Sequence, residues 1–532
     1  MSRLTVADLG AGAGAGVRAT QEPTTAPVTP GGGRLATGAP VGLAGLLAVA
    51  VILRFWTRSD LWLDEALSVH IARLPLDSMF EALRRDGSPP LYYVLLHGWM
   101  EVFGTGDVAV RSLSGAAGVT ALPMIWLLGR DIGGRRGAVS ALVLLASSPF
   151  AIRYSTEARM YSLVVLLTLV GALCLRRSLL RPTGPARAAL AVTSGLLLLT
   201  HYWALYLVAV VALWLVARAW RGPERRVTLS CLAAVAAGGL LFLPWLPTFA
   251  FQATSTGTPW GGPADFTAVV DTVVAFGGGA NMHGWLLTTV LVTLAGLGLF
   301  GLPLDGRRIE LDLSTRPAAR PLAFVLLATL AMAISVNWIQ GTAFAPRYAA
   351  VVLVPFLLLG ALGMAVLDDA RLRAAVTALV ALVGLYGASF NVVRNRTQAS
   401  EVAQALRASA GAGDVVAYCP DQLGPAVSRL APVGLVQTTF PDGAGPALVD
   451  WVDYEARSRA GDPAAFAAEL VARAGPGHDV WLVWMPGYRT LGEKCDTLNA
   501  RLGTLRPGAT TVVVRHPGRY PERADLWRFP PP

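Results

Sequence analysis

The chain has 532 residues, of which 54% are hydrophobic and only 15% charged, and its mean hydropathy is +0.52. Soluble domains carry about a quarter charged residues, so this composition excludes an ordinary globular protein and places the chain in a bilayer. The formal net charge of +10 comes almost wholly from arginine, Lys494 being the single lysine, and the arginines cluster in short turns between apolar runs, which excludes nucleic acid as a partner and suits membrane loops.

Residues 1–34 are rich in Gly, Ala, Thr and Pro and read as a disordered cytoplasmic tail. The Gly/Ala run at 10–16 has no following Gly-Lys-Ser/Thr and is not a phosphate-binding loop. The first apolar run is expected to stay as an anchor, not to be cleaved as a signal peptide. Runs of spanning length follow near 38–56, 108–129, 137–153, 161–176, 188–202, 203–218, 227–248, 285–303, 321–338, 348–367 and 373–391, which predicts an α-helical integral membrane protein of about eleven transmembrane helices over residues 35–391. Every second turn is arginine-rich: Arg130, Arg135 and Arg136; Arg176, Arg177, Arg181 and Arg187; Arg218, Arg221, Arg225 and Arg226; Arg307, Arg308, Arg316 and Arg320; Arg371 and Arg373. Positive loops stay inside, so the N-terminus is expected to be cytoplasmic and residues 392–532 extracytoplasmic.

On this topology the segment 57–107 is the largest outer loop. Its apolar stretch to Phe103, with Tyr92, Tyr93 and Trp99, has the length and aromatic content of a segment lying in the interface. A second outer loop, 249–284, is expected to be irregular. After residue 392, β-rich runs at 414–419, 479–485 and 510–515 alternate with helix-like stretches at 463–473 and 494–502, the pattern of a small α/β domain. Cys174 and Cys231 lie in apolar runs and read as small buried hydrophobes. Cys419 and Cys495 share the outer domain, where an oxidising compartment favours a bond between them; two free thiols are the alternative.

Charged groups at membrane depth are costly and need a reason to be there. Here they gather on the outer side: Asp64, Glu65 and Asp86 in the first loop, Glu157, Arg159 and Tyr161 around the next turn, His201 and Tyr202 at a third, and Arg347 with Tyr348 at the start of a later span. Each alone has a bland explanation: a cap for Asp64, a turn-holding pair for Glu157 and Arg159, a helix contact for His201. Four loops offering polar groups at one depth are what a cavity opening to the outer leaflet requires. No HExxH, Cys-x-x-Cys or Walker pattern is present.

Trp62-Leu-Asp-Glu-Ala-Leu-Ser68, Asp86-Gly-Ser-Pro-Pro-Leu-Tyr-Tyr93, Ser148-Pro-Phe150 followed by Tyr154-Ser-Thr-Glu-Ala-Arg-Met-Tyr161, and Arg347-Tyr348, in this order, resemble bacterial membrane glycosyltransferases of the GT-C superfamily, related to protein O-mannosyltransferases and lipid A aminoarabinose transferases. The likeness covers roughly residues 38 to 390. It implies an inverting transferase that uses a polyprenyl-phosphate sugar, with mannose favoured and arabinose the other candidate, and it puts Asp64 of the Asp-Glu pair at the active site. It leaves a divalent metal open. Many relatives carry His before the Pro pair, where this chain has Ser88, so a role for that His does not carry over.

The residues suit the implied chemistry. A polyprenyl phosphate is already a good leaving group, so the protein must supply a base for the acceptor hydroxyl and cations for the departing phosphate. Asp64 is expected to be the base with Glu65 in support, and Arg347, with its planar fork of donors, to hold phosphate alongside Tyr348. Asp86, Tyr92, Glu157, Arg159, Tyr161 and His201 are expected to line the substrate site. The lipid delivers the sugar, so no nucleotide pocket and no other cofactor is required, and the acceptor would be a cell-envelope glycan, lipid or protein. Two other classes compete: a transporter or flippase of lipid-linked sugars, which calls for mid-membrane polar residues or an internal repeat not seen here, and a non-catalytic binding protein.

Overall fold

Apolar runs of about twenty residues must satisfy their backbone internally, and all eleven are helical. The computed structural model describes residues 35–222, 224–262, 264–304 and 308–532; the expected N-terminal tail, 1–34, lies outside them. Residues up to Ala44 belong to a separate unit, and 45–532 form one body. Helix α1 is Leu35–Leu53. The expected outer loop then folds as three helices, α2 (Leu63–Ala72), α3 (Leu76–Asp86) and α4 (Leu91–Phe103). There follow α5 (Asp107–Ala146), α6 (Pro149–Ser155), α7 (Tyr161–Leu180), α8 (Gly184–Leu198), α9 (Trp203–Arg221), α10 (Arg225–Leu240) and α11 (Leu246–Ser255). The membrane part ends with α12 (Thr267–Phe276), α13 (Met282–Phe300), α14 (Arg320–Gln340), α15 (Ala350–Val366) and α16 (Ala370–Val393).

Helix α5 is two helices in one. Gly133 and Gly134 leave helical geometry, Gly134 at φ 64°, and a Cβ on Gly129 would sit 2.8 Å from both the Ala141 Cβ and the Gly137 carbonyl oxygen. The arms 107–132 and 135–146 therefore fold back on each other as a hairpin, matching the two runs read from the sequence. Among the described residues seven helices are long and apolar enough to cross a membrane, or eight if α10 and α11, bent by 40°, make one span. The expected eleven spans are thus eleven helical runs, not eleven full-length helices. The shortfall lies in α1, in the 15-residue α8 and in the short second arm of α5. The loop 249–284, expected to be irregular, contains α12.

The two ends of the bundle differ in chemistry. At one end the arginine-rich turns meet: Arg136 pairs with Asp368 at 2.8 Å, and Arg176 with Asp131 at 3.8 Å. At the other, Arg54 donates to the carbonyls of Leu145 and Ala146 (2.7 and 3.2 Å), Arg58 N donates to Val392 O (3.1 Å), and Leu91 N to Leu199 O (3.0 Å). The ends of α1, α5, α8 and α16 and the three loop helices thus share that second end. Helix α4 buries Tyr92, Tyr93, Leu96 and Met100 and exposes Val94, Leu95, Val102 and Phe103, an amphipathic segment of 13 residues, too short to span.

Residues after α16 form a five-stranded sheet. Strands β1 (Val415–Cys419), β2 (Val436–Thr439) and β3 (Val480–Trp484) are parallel, while β5 (Asp525–Phe529) runs antiparallel to both its neighbours, β3 and β4 (Thr510–Val513), in spatial order β2-β1-β3-β5-β4. Strands β1, β3 and β4 and helices Pro463–Ala474 and Lys494–Leu505 match the expected runs; β2 and β5 were not expected. Cys419 and Cys495 are bonded, with Cα atoms 5.6 Å apart. This layer is seated on α3 through Arg85–Asp450 (2.7 Å), on the start of α5 through Arg429–Asp107 (2.8 Å) and on the end of α11 through the backbone pair Asp453 N to Ser255 O (2.9 Å).

Helix α15 is the axis of the bundle, 94% buried over its most apolar window. It meets α13 at glycine: a Cβ on Gly363 would lie 1.8 Å from the Leu294 carbonyl oxygen, and one on Gly298 2.0 Å from that of Leu359. Small residues allow such backbone approach, on which helix association in lipid depends. Gly363→Leu is accordingly expected to cost about 3 kcal/mol or more, since both neighbours are backbone. A thermal midpoint of the purified protein unchanged from wild type would contradict this packing.

Candidate functional site

Helix α2 places Asp64 and Glu65 in its first turn, where the helix dipole favours acids, and their two side chains part. Glu65 is fully buried. Arg111 binds both its oxygens, Nε to Oε1 at 2.7 Å and Nη2 to Oε2 at 2.6 Å, while Ala158 N donates to Oε1 at 2.9 Å and Arg396 approaches Oε2 at 3.5 Å. Burial pushes the Glu65 carboxyl up, but Arg111 and then Arg396 outweigh it and hold the group below its ordinary value. With both oxygens held, the Glu65 side chain fixes the first turn of α2 and presents no free oxygen.

Arg396 joins this anchor to the next turn. It donates to Thr156 O (2.9 Å) and Thr156 Oγ1 (2.8 Å) and lies 3.7 Å from Glu157, which also pairs with Arg153 at 3.2 Å. Glu157 is fully buried, so it too serves the scaffold first, although its Oε2 has no partner. Arg396 and Arg153 were not expected as site residues. The only sequence signal for Arg396 is that it follows the last span on the same face.

Asp64 faces the other way. Its Oδ2 lies 3.5 Å from Arg347 Nη2, both side chains being partly exposed, and that oxygen has no hydrogen bond. Arg347 sits in the tight turn Pro346–Ala349 that opens α15, with its guanidinium 5.5 Å from the rings of Trp260 and Tyr348 and 5.8 Å from Trp62. Tyr348 lies 5.4 Å from His201, and His201 5.7 Å from Tyr161. The Trp203 amide donates to His201 Nδ1 at 3.1 Å, leaving Nε2 as the protonated nitrogen. Burial, then Arg159 and Arg347, push the His201 pKa down to about 3, so the ring is a neutral donor. Asp64 Oδ2, Arg347 Nε, Tyr161 OH, Arg159 Nε and Trp62 Nε1 are all buried atoms that make no hydrogen bond. Unpaired polar atoms are rare in native proteins, and this many at one place call for a ligand or ordered water.

A second layer supports them. Arg159 Nη1 donates to Ser68 Oγ (3.0 Å) and Tyr93 OH (3.2 Å), and Tyr93 donates to Asp86 (3.0 Å). Burial raises the Asp86 carboxyl above its ordinary value, Arg159 opposing. Tyr92, expected in the site, instead bonds Ser114 Oγ at 3.0 Å within the core; Tyr93 takes the place assigned to it. Consecutive helical residues point about 100° apart, which the sequence could not phase. Tyr202 bonds Gln252 and Trp245 and holds the α9–α11 corner. An apolar cavity of about 480 Å³ lies elsewhere, toward the arginine-rich end, bounded by Leu128, Thr168, Trp214 and Val354. Among the described residues no three His, Cys, Asp or Glu side chains converge as metal ligands would.

The fold is similar to that of ArnT from Cupriavidus metallidurans. The apo crystal structure matches over 93% of this chain and 98% of that one, at 14% identity and TM-score 0.60; the structure bound to undecaprenyl phosphate matches over the same shares at 13% identity and TM-score 0.54. The chain thus has the fold of a GT-C superfamily membrane glycosyltransferase. Residues 87–247 match the family described as dolichyl-phosphate-mannose-protein mannosyltransferase, a stretch from the end of α3 to the α10–α11 corner. No curated protein sequence matches it.

The buried ladder has a measurable cost. Removing one partner of a buried pair leaves the others uncompensated, so Glu65→Ala is expected to destabilise by about 3–5 kcal/mol. Because the folded state holds this carboxyl below its ordinary value, the stability it supplies is present at neutral pH and is lost as acidification protonates it. Thermal unfolding of wild type and Glu65→Ala at neutral pH should differ accordingly; equal midpoints would count against the ladder.

Proposed function

We propose that the chain transfers a sugar, mannose first among the candidates, from a polyprenyl phosphate to an acceptor hydroxyl at the outer face of the membrane, with inversion. The single observation that carries this reading is the pairing of Asp64 and Arg347 at 3.5 Å, a base and a phosphate-binding cation side by side among unpaired polar atoms. The family match to a dolichyl-phosphate-mannose-dependent transferase and the fold shared with a protein solved with undecaprenyl phosphate support it.

In this reaction the acceptor oxygen attacks the anomeric carbon while its proton passes to Asp64. The bond from that carbon to the phosphate oxygen breaks, and its electron pair leaves with polyprenyl phosphate. Arg347 turns its fork toward that phosphate, neutralising charge as it develops, and the turn frees Asp64 for the acceptor. His201, held neutral as an Nε2–H donor, and Tyr348 and Tyr161 supply hydrogen bonds around the phosphate or the sugar. Arg159, oriented by Ser68 and Tyr93, adds a second cation. The aromatic wall of Trp62, Trp260 and Tyr348 around Arg347 limits water at the reacting carbon.

Sidedness follows from the arginine-rich turns, which lie at the opposite end from Asp64 and by the positive-inside rule are cytoplasmic. A reporter active only outside the cytoplasm should work when fused after residue 392 and fail when fused near Arg225. The reverse result would put the Asp64 face in the cytoplasm.

Asp64→Asn keeps the shape of the side chain and removes the basic oxygen. Transfer of radiolabelled sugar from polyprenyl-phosphate mannose into the membrane fraction should fall about a hundredfold or more, with folding intact. Arg347→Lys, which keeps charge without the fork, should retain more activity than Arg347→Ala. Wild-type turnover in Asp64→Asn would move the base elsewhere, Asp86 being next in line.

A further inference from the structure

Helix α2 begins without a cap of its own. Trp62 occupies the N-cap position and makes no side-chain cap hydrogen bond, although the first turn of a helix has donors that need acceptors. The acceptor arrives from 459 positions along the chain: Leu63 N donates to Glu522 Oε2 at 2.7 Å. Glu522 is itself held firmly. Thr397 Oγ1 donates to its other oxygen at 2.6 Å, and its backbone is clamped by Glu522 N to Arg396 O and Gln398 N to Glu522 O, each 2.9 Å. The segment that supplies Glu522 leads straight into β5, and the segment that clamps it includes Arg396 of the buried ladder.

We propose that Glu522 is a positioning residue for the transfer reaction: by capping α2 through the Leu63 amide it fixes the turn that carries Asp64 and so sets that carboxylate against Arg347. The proposal rests on the reading of Asp64 as the base. It gives the C-terminal α/β layer a part in the reaction, because the cap exists only when the segment leading into β5 reaches the start of α2. Burial pushes the Glu522 carboxyl up to about 7 against the bonds from Thr397 and Leu63, with Asp64 and Glu65 the charged groups that face it. A carboxylate grips an amide more strongly than a neutral acid does, so the cap tightens as pH rises through neutrality.

The test uses the full-length protein in membranes, with radiolabelled polyprenyl-phosphate mannose as the probe or whichever sugar of a donor panel the wild type uses. Glu522→Gln should lower kcat about tenfold, the scale of a small misplacement, with KM for the donor changed less than about twofold, as expected when positioning and not binding is lost. The wild-type rise in kcat between about pH 6 and 8 should flatten in the same variant. Leu63→Pro offers a route that spares Glu522. Proline fits the first helical position, Trp62 is already extended at φ −84° and ψ 173° as a residue before proline must be, and the donor is gone. Adding Glu522→Gln to Leu63→Pro should then change nothing further. Hydrogen exchange over residues 60–72 supplies a readout that needs no substrate, and it should quicken in Glu522→Gln. Wild-type kcat, pH profile and exchange in Glu522→Gln would overturn the proposal, as would additive effects in the double variant. If Asp64→Asn retained transfer, the base assignment would fall while the exchange result still decided the cap.

Discussion

Glu65, Arg111, Arg396 and Glu157 come from four separate segments and are buried in one contact set. Ionised groups cannot leave water unless each meets an opposite charge at hydrogen-bonding distance, and the geometry needed for that is narrow. The constraint therefore fixes four backbones at once: the first turn of α2, the start of α5, the turn after α6, and the chain leaving α16. Apolar packing among membrane helices has no such precision, because lipid competes on nearly equal terms with leucine. The ladder supplies what the bundle alone cannot, a defined position for the polar end of the protein.

The polar cluster around Asp64 and Arg347 adjoins those buried pairs along the chain. Asp64 is one residue from Glu65, Arg159 is two from Glu157, and Arg347 enters from the mouth of the buried α15. Each rigid contact thus holds a neighbour that keeps one polar atom without a hydrogen bond, Oδ2 in Asp64 and Nε in Arg159. Such an arrangement fixes where those atoms lie, because the backbone that carries them is held by buried ion pairs.

How far the sequence could be read follows from the same physics. Spacing and hydropathy gave every apolar run, and the arginine pattern gave the common face of Asp64, Arg159, His201 and Arg347, because both signals are periodic. The turn of α5 at Gly133 and Gly134 falls between the expected runs 108–129 and 137–153, and α8 has the length of the expected run 188–202; what the sequence did not reveal is that the run 137–153 divides, one helix stopping at Ala146 and another starting at Pro149. Which of Tyr92 and Tyr93 meets Asp86 and Arg159 depends on the phase of a short helix, which adjacent residues do not reveal. Arg396 and Glu522 were invisible because their partners lie hundreds of residues away. Strand β5, Asp-Leu-Trp-Arg-Phe, carries two charges in five residues and gains its place by pairing with β3.

Those long-range partners bear on what the C-terminal layer is for. A domain joined only by its chain would touch the bundle through exposed pairs such as Arg85–Asp450, worth little each. This one also places Arg396 among the buried charges and Glu522 at the head of α2, and packs its helix Gly424–Leu430 against α2, so that movement of the layer reaches the Asp64 turn. Loss of the layer would strip the ladder of one cation and the helix of its cap together. The bundle and the sheet are, at this point, joined into one unit, and the polar cluster around Asp64 depends on both.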